Sequence, residues 1–244
     1  MSLLEVTGLS KRFGGLQAVG GLDLSMAQGE MLGMIGPNGA GKTTVFNLLT
    51  GFLAPDAGEV HFSGRRLHGL KPHEICRLGL ARTFQIVRPF PQLSVVENVR
   101  TAALVRHPGM RDALDAARAV VERVGLGARA GETAAGLTLA DRKRLELARA
   151  LATEPALLLL DEVMAGLNAT EIDVMVRLIG AISAGGVSVL LIEHNMRAVM
   201  SLSHRIVVLS FGEKIAEGPP RAVAADRRVI EAYLGEEYVH PAPP

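Results

Sequence analysis

The stretch GPNGAGKT, Gly36 to Thr43, fits the pattern G-x-x-x-x-G-K-[ST]. The chemistry of that pattern is phosphate binding. Gly36, Gly39 and Gly41 permit a backbone that turns its N–H groups inward around an anion. A helix that starts there adds partial positive charge. Lys42 is spaced to reach the terminal phosphates of a nucleotide, and the Thr43 hydroxyl to ligate Mg2+. A second group closes the apolar run LLLLDE, which ends in Asp161 and Glu162. Carboxylates after such a strand stand at the C-terminal edge of a parallel sheet, the edge at which a phosphate loop also stands. There Asp161 holds Mg2+ through water, and Glu162 orients and polarises an attacking water. A carboxylate of pKa ~4 is a weak base for water of pKa ~15.7, so positioning carries much of that effect. His194 ends the next apolar run, VLLIEH. From a strand end it reaches a γ-phosphate; a satisfied surface histidine is the other reading. The seven histidines show no metal-ligand spacing, which argues against a zinc site.

These groups need elements to hold them. SLLEVTGL, GLDLSM and MLGMIG read as short strands separated by Gly-rich turns. The run VFNLLTGFL reads as a helix stopped near Gly51, and EVHFSG as another strand. From about Ser94 to Ala152 the texture is helical: SVVENVRTAALV, RDALDAARAVVERVGL and LADRKRLELARALA are rich in strong helix formers, with apolar residues recurring at three and four. Strands return at ALLLLD, VSVLLIEH and RIVVLS, separated by helical ATEIDVMVRLIGAISAG and NMRAVMSLS. Helical RRVIEAYLG precedes a polar, Pro-rich ending. Apolar strands alternating with helices predict an α/β fold with a parallel sheet covered on both faces. GLGARAG, near Gly125, has the look of a dinucleotide loop, but it follows a helical run rather than a strand and is set aside.

Bulk properties narrow the class. The 244 residues are 48% hydrophobic, enough for a substantial core. Lys and Arg number 26 against 25 Asp and Glu, so global charge gives no case for nucleic acid or an anionic membrane. The single cysteine, Cys76, excludes an internal disulfide and suits a reducing compartment. MSLLEVTGLSKRF does not read as a signal peptide, and no apolar run reaches the ~18 residues of a membrane span.

Taken together, the motifs resemble those of ATP-binding subunits of ABC transporters over nearly the whole chain. Gly36, Pro37, Asn38, Gly39, Ala40, Gly41, Lys42, Thr43 and Thr44 match the Walker A loop. Phe13 matches the aromatic residue that stacks on adenine. Gln85, in ARTFQ, matches the Q-loop glutamine, which contacts Mg2+ and senses the membrane partner. LLLLDE matches Walker B, with Glu162 as catalytic glutamate, and His194 matches the switch histidine. AGLN matches the D-loop, with Asn168 where the family usually has Asp. The resemblance implies a P-loop NTPase fold of ABC type: a mainly parallel core sheet, an N-terminal antiparallel β portion and an inserted helical subdomain. It implies one domain over 1–244, with the α/β core in 1–85 and 155–235, the helical subdomain in 86–154 and a loose tail in 236–244.

The resemblance also gives a place to LTLAD, Leu137 to Asp141. The family's signature LSGGQ begins the last helix of the insert and meets the γ-phosphate bound by the other subunit. Thr138 keeps the hydroxyl, Leu139 and Ala140 replace the glycines, and Asp141 replaces the glutamine. Thr138 as N-cap with Asp141 three residues later also reads as a capping box, and both readings can hold together. FGGLQAV, RPFPQLSVVENV, RKRLELARALA, AGLN and EKIAEGPPRAVAADRRVIEAYLG resemble the importers of branched-chain amino acids, whose relatives carry urea, amides and aromatic acids. The implied cofactors are ATP and Mg2+. The implied partners are membrane permease subunits, a second ATPase subunit in a homo- or heterodimer and, indirectly, a substrate-binding protein. The implied location is the cytoplasmic face of the inner or plasma membrane. Ile86, Val87, Phe90 and Leu93 are expected to line the groove for a cytoplasmic helix of the permease. A soluble ABC-type ATPase acting on nucleic acid or ribosomes is the alternative, disfavoured by the single ATPase unit, the short insert and the lack of a basic excess.

Overall fold

The computed structural model describes residues 2–85 and 88–234. Ile86, Val87 and the tail 236–244 lie outside the described residues. The chain divides into two compact units, Met1–Pro72 with Leu190–Pro244, and His73–Val189.

In the first unit, β1 (Ser2–Phe13) and β2 (Leu16–Ala27) form an antiparallel hairpin. Alternate residues point inward, burying Leu4, Val6, Leu22 and Leu24, as the period of two requires. The turn is at Gly14, whose φ of 57° suits a residue without Cβ. Gly20 and Gly21, which read as a boundary in the sequence, lie inside β2. β3 (Met31–Ile35) is buried at every residue and leads into the phosphate loop and α1 (Lys42–Leu49). β4 (Ala57–Phe62) pairs antiparallel with β1, and the two-residue β5 (Arg65–Arg66) pairs with β4, giving the order β2-β1-β4-β5.

The second unit opens with α2 (Pro72–Leu78), whose first residue closes the preceding segment, and β6 (Leu80–Arg82). Three helices follow: α3 (Val95–Ala103), α4 (Met110–Arg123) and α5 (Leu139–Leu151). Ser94 and Glu97 form a reciprocal capping box at the start of α3. β7 (Leu157–Asp161) runs parallel to β6, and its four leucines are wholly buried. Each contributes about 1.5–3 kcal/mol relative to exposure. α6 (Ala169–Ala184) is capped by Asn168 and Glu171 in a second capping box. β8 (Ser188–Ile192) is the strand in which the chain leaves this unit.

Back in the first unit, α7 (Met196–Leu202) precedes β9 (Arg205–Ser210), which pairs parallel with β3. β10 (Glu213–Gly218) turns back antiparallel on β9, and α8 (Pro220–Ala224) and α9 (Arg227–Leu234) follow. Among the described residues no helix is long and apolar enough to cross a membrane.

Candidate functional site

The residues singled out by sequence form two constellations, one in each unit. In the first unit the chain leaves buried β3 at Gly36 and starts α1 at Lys42, with Gly41 as N-cap at φ 101°. No side chain caps α1 and its first turn holds no acid, so the helix does not offset its own N-terminal dipole. A Cβ at Gly41 would lie 2.3 Å from Ala18 O, and one at Gly36 2.1 Å from Leu209 O. These close approaches demand glycine and fix the loop against β2 and β9. Gly212 N–H donates to Ala40 O at 3.1 Å, and Gly20 N–H to Gly212 O at 2.9 Å, adding a backbone brace. Lys42 is 6% exposed, and its Nζ donates to Gly36 O at 2.6 Å and Pro37 O at 3.0 Å. The buried ammonium is thus held over the loop by carbonyl groups. Asn38, Gly39 and Thr43 are exposed, while Pro37 and Thr44 are half-buried. Phe13 stands at the end of β1, half-exposed, with Lys11 Nζ 5.8 Å from its ring centre. His194 is exposed in the turn after β8, just ahead of Asn195, which caps α7.

In the second unit, Asp161 is the last residue of β7 and is 1% exposed. Its Oδ2 pairs with Arg82 Nη2 at 2.9 Å, and its N–H donates to Thr83 Oγ1 at 3.1 Å. Burial pushes the Asp161 carboxyl above the usual range, opposed by the attraction of Arg82; burial likewise lowers Arg82. Asp161 Oδ1 is buried and accepts no hydrogen bond among the described residues. An anionic oxygen with one side unsatisfied fits a hard cation or the water such a cation carries.

Glu162 follows at φ 49°, a left-handed conformation costing roughly 1–2 kcal/mol for a side chain with Cβ. Gln85 Nε2 donates to Glu162 Oε2 at 2.7 Å, so the structure brings together two site residues that are 77 positions apart. Lys143, 4% exposed, donates to Glu162 O at 3.0 Å and Gln85 O at 3.4 Å, holding both backbones.

Thr138 is the N-cap of α5 and accepts from Asp141 N–H at 3.2 Å, which is half of the expected capping box; the Asp141 carboxylate engages the Thr138 hydroxyl rather than its backbone N–H. Thr138 Oγ1 in turn donates to Asp141 Oδ2 at 2.8 Å. The same carboxylate is ion-paired with Arg129 and lies 3.5 Å from Arg144. Leu139 is 48% exposed, and its Cδ2 lies over Gly166, 2.9 Å from where a Cβ would be. Asn168, in the AGLN segment, accepts from Glu171 N–H at 3.0 Å.

Residues 19–165 match the family profile described as ABC transporter, and residues 213–239 one described as Branched-chain amino acid ATP-binding cassette transporter. The chain belongs to the ABC transporter family. The cassette is 44% identical over 250 residues to the high-affinity branched-chain amino acid transport ATP-binding protein BraF of Pseudomonas aeruginosa, a match covering 96% of this chain and 98% of that one. It is 42% identical, with the same coverage, to the correspondingly named LivG of Escherichia coli K12. Its backbone is similar to the ADP conformation of MJ1267, an ATP-binding cassette of an ABC transporter, with a TM-score of 0.87 at 29% identity over 97% of this chain and 100% of that one. The cassette is a nucleotide-binding ATPase with the P-loop NTPase fold.

Arg82 and Lys143 escaped the sequence reading. Both are basic residues inside stretches whose other members drew attention, ARTFQ and ADRKR. The signal that finds them is burial of a charge, which forces a partner; the sequence names neither the burial nor the partner.

Proposed function

We propose that the cassette binds and hydrolyses ATP to energise an importer of branched-chain amino acids or related amides, as a peripheral subunit on the cytoplasmic face of the inner or plasma membrane. The observation that carries this reading is the presence, in one chain, of an intact phosphate loop and a C-terminal segment matching the branched-chain amino acid cassettes. Lys42 and the N–H groups at the start of α1 bind the phosphates, with Gly36 to Thr44 as cradle. Phe13 offers its half-exposed face to adenine. Thr43, Gln85 and, through water, Asp161 would hold the Mg2+ that accompanies ATP. That ion supplies charge neutralisation on the transferred phosphoryl group. Glu162 orients the attacking water, and His194 meets the γ-phosphate.

The partners are permease subunits and a second ATPase subunit, with a substrate-binding protein upstream. The segment that follows Gln85 is the surface for the permease. Its later part is tied to α3: Asn98, fully buried, accepts from Phe90 N–H at 2.8 Å and donates to Phe90 O at 3.0 Å and Ser94 O at 3.0 Å. Phe90 stays half-exposed above this clamp, with the Arg149 guanidinium 5.5 Å from its ring centre. A cysteine at Phe90 is expected to cross-link to a cytoplasmic loop of the permease. Failure there, with other contact positions succeeding, moves the surface elsewhere. The overall reading is tested by purification from the native host with identification of the co-purifying membrane proteins, followed by uptake of labelled leucine and of short amides. Co-purification with ribosomes instead of permeases would overturn it.

Thr138 and its neighbours meet the ATP held by the second subunit, and meet it poorly. Asp141 already puts an anion at the start of α5, where it occupies the Thr138 hydroxyl and Arg129. Leu139 and Ala140 add side chains where glycines allow close approach. Restoring Leu139→Gly, Ala140→Gly and Asp141→Gln together is expected to raise ATP turnover in the assembled transporter about ten- to hundredfold, the worth of one phosphate hydrogen bond regained. With a different, regular ATPase as partner, the site using Lys42 and Glu162 is the better catalyst of two unequal sites. An unchanged or lower rate would show that this helix start already fits its phosphate.

A further inference from the structure

The two oxygens of the Asp161 carboxylate stand in different surroundings. Oδ2 accepts from Arg82 Nη2 at 2.9 Å, with both side chains under one-tenth exposed. Oδ1 is buried and accepts no hydrogen bond among the described residues. The last torsion of an aspartate is broad and roughly two-fold, so nothing intrinsic to the side chain selects which oxygen is presented. Arg82 selects it. Its guanidinium is itself held: Nε donates to Thr83 O at 3.2 Å, and the group lies 4.7 Å from the centre of the Phe84 ring. The backbone beneath the pair is fixed too. Arg82 faces Leu159 in the register of β6 and β7, and Thr83 N–H donates to Leu159 O at 2.9 Å. Asp161 N–H donates to the buried Thr83 hydroxyl oxygen at 3.1 Å.

Charge and placement pull metal binding in opposite directions. As a cation, Arg82 repels a nearby metal ion, and its removal would tighten metal binding. As a brace, it keeps one oxygen occupied and the other free, and its removal would let the carboxylate turn and weaken metal binding. The geometry favours the brace. The guanidinium sits on Oδ2 and leaves Oδ1 open, and a planar fork fixed by Asp161, Thr83 O and Phe84 specifies direction as well as charge. We propose that Arg82 is a positioning residue for the Mg2+ that accompanies the nucleotide: by occupying Oδ2 it presents Oδ1 of Asp161 to a water of that ion. This rests on the reading of Asp161 as a holder of Mg2+ through water.

The test uses Arg82→Met, which removes the fork and the charge, and Arg82→Lys, which keeps the charge without the fork. ADP affinity of the full chain is titrated in EDTA and then at rising Mg2+. Mn2+ binding to the ADP complex, read by paramagnetic resonance, reports the metal's affinity directly. In Arg82→Met the metal concentration at half-effect is expected to rise roughly tenfold, the lower end for loss of a ligand's partner, because a water stands between. ADP affinity in EDTA is expected to stay at the parental value, which damage to the fold would not allow. Arg82→Lys is expected to fall between, roughly threefold above the parent, since an ammonium is a point charge without a plane. A parental or lower half-effect concentration in either variant overturns the proposal, as does an equal loss of ADP affinity with and without Mg2+. If Arg82→Met does not fold, Arg82→Lys decides by itself. A parent whose ADP affinity ignores Mg2+, or an Asp161→Asn protein with the parental half-effect concentration, sinks the reading of Asp161 and the proposal with it.

Discussion

Glu162→Gln is expected to bind ATP at the parental affinity and to lose about 10²- to 10³-fold in turnover, the range of a positioned acid–base group. The substitution is close to isosteric. Its backbone at φ 49° remains held by Lys143 on Glu162 O, and a Gln side chain still offers an oxygen to Gln85 Nε2. What disappears is the negative charge to which the proposed function assigns the orienting of water. The neighbouring carboxylate does not confound the result, because the Glu162 charge raises the Asp161 carboxyl. Removing it leaves Asp161 more readily ionised and no worse a partner for Mg2+. Equilibrium binding of ATP and phosphate release in the assembled complex separate the two quantities. Parental turnover, in a complex whose parent is active, would remove Glu162 from the role of water-orienting group.

Lys42→Ala acts one step earlier, on binding. Nucleotide affinity is expected to fall about ten- to hundredfold, since a hydrogen bond to a charged phosphate is worth roughly 1.5–3 kcal/mol. The loss has two sources in the structure. The cation proposed to meet the phosphates goes, and Gly36 O and Pro37 O lose the donor that holds them at 2.6 and 3.0 Å. The first source affects ATP more than ADP, and the second affects both alike. Calorimetric titration with each nucleotide therefore apportions the effect. Affinity within threefold of the parent for both would mean that Lys42 does not meet the phosphates.

The sequence reading was strongest where a local pattern carries its own physics. Apolar β3, β7 and β8 were legible because a doubly covered strand must be apolar throughout. The start of α5 was legible because Thr138 and Asp141 form a local hydrogen-bonded pair. β6 and β10 were not. β6 has three residues, and β10, EKIAEG, is too polar and short to display alternation. The same limit applied within the site. Gly36 to Thr44 announced itself through spacing, whereas Arg82 on Asp161 and Lys143 on Gln85 are pairings across 79 and 58 positions. Periodicity says that a residue is buried or exposed on its own element; it carries no information about which distant group it meets. Gly20 and Gly21 misled for a related reason: glycine in a strand marks an irregularity, and β1 and β2 show register shifts without breaking.

Helix α5 has a mechanical consequence. Two of its side chains, six positions apart, fasten the chain around Gln85 and Phe90: Lys143 on Gln85 O, and Arg149 on Arg88 O and the Phe90 ring. Its other end is Thr138, eleven residues before Arg149 (149 − 138), a span of roughly 16 Å along the axis. The sequence between, LADRKRLELA, has neither glycine nor proline to bend it, and Leu145, Leu147 and Ala148 are seated in the core. The helix is thus a stiff connecting rod, loaded at one end by whatever presses on Phe90 and at the other by whatever occupies the Thr138 terminus. A push at either end arrives at the other as motion of the whole rod, with no hinge between them to absorb the stroke.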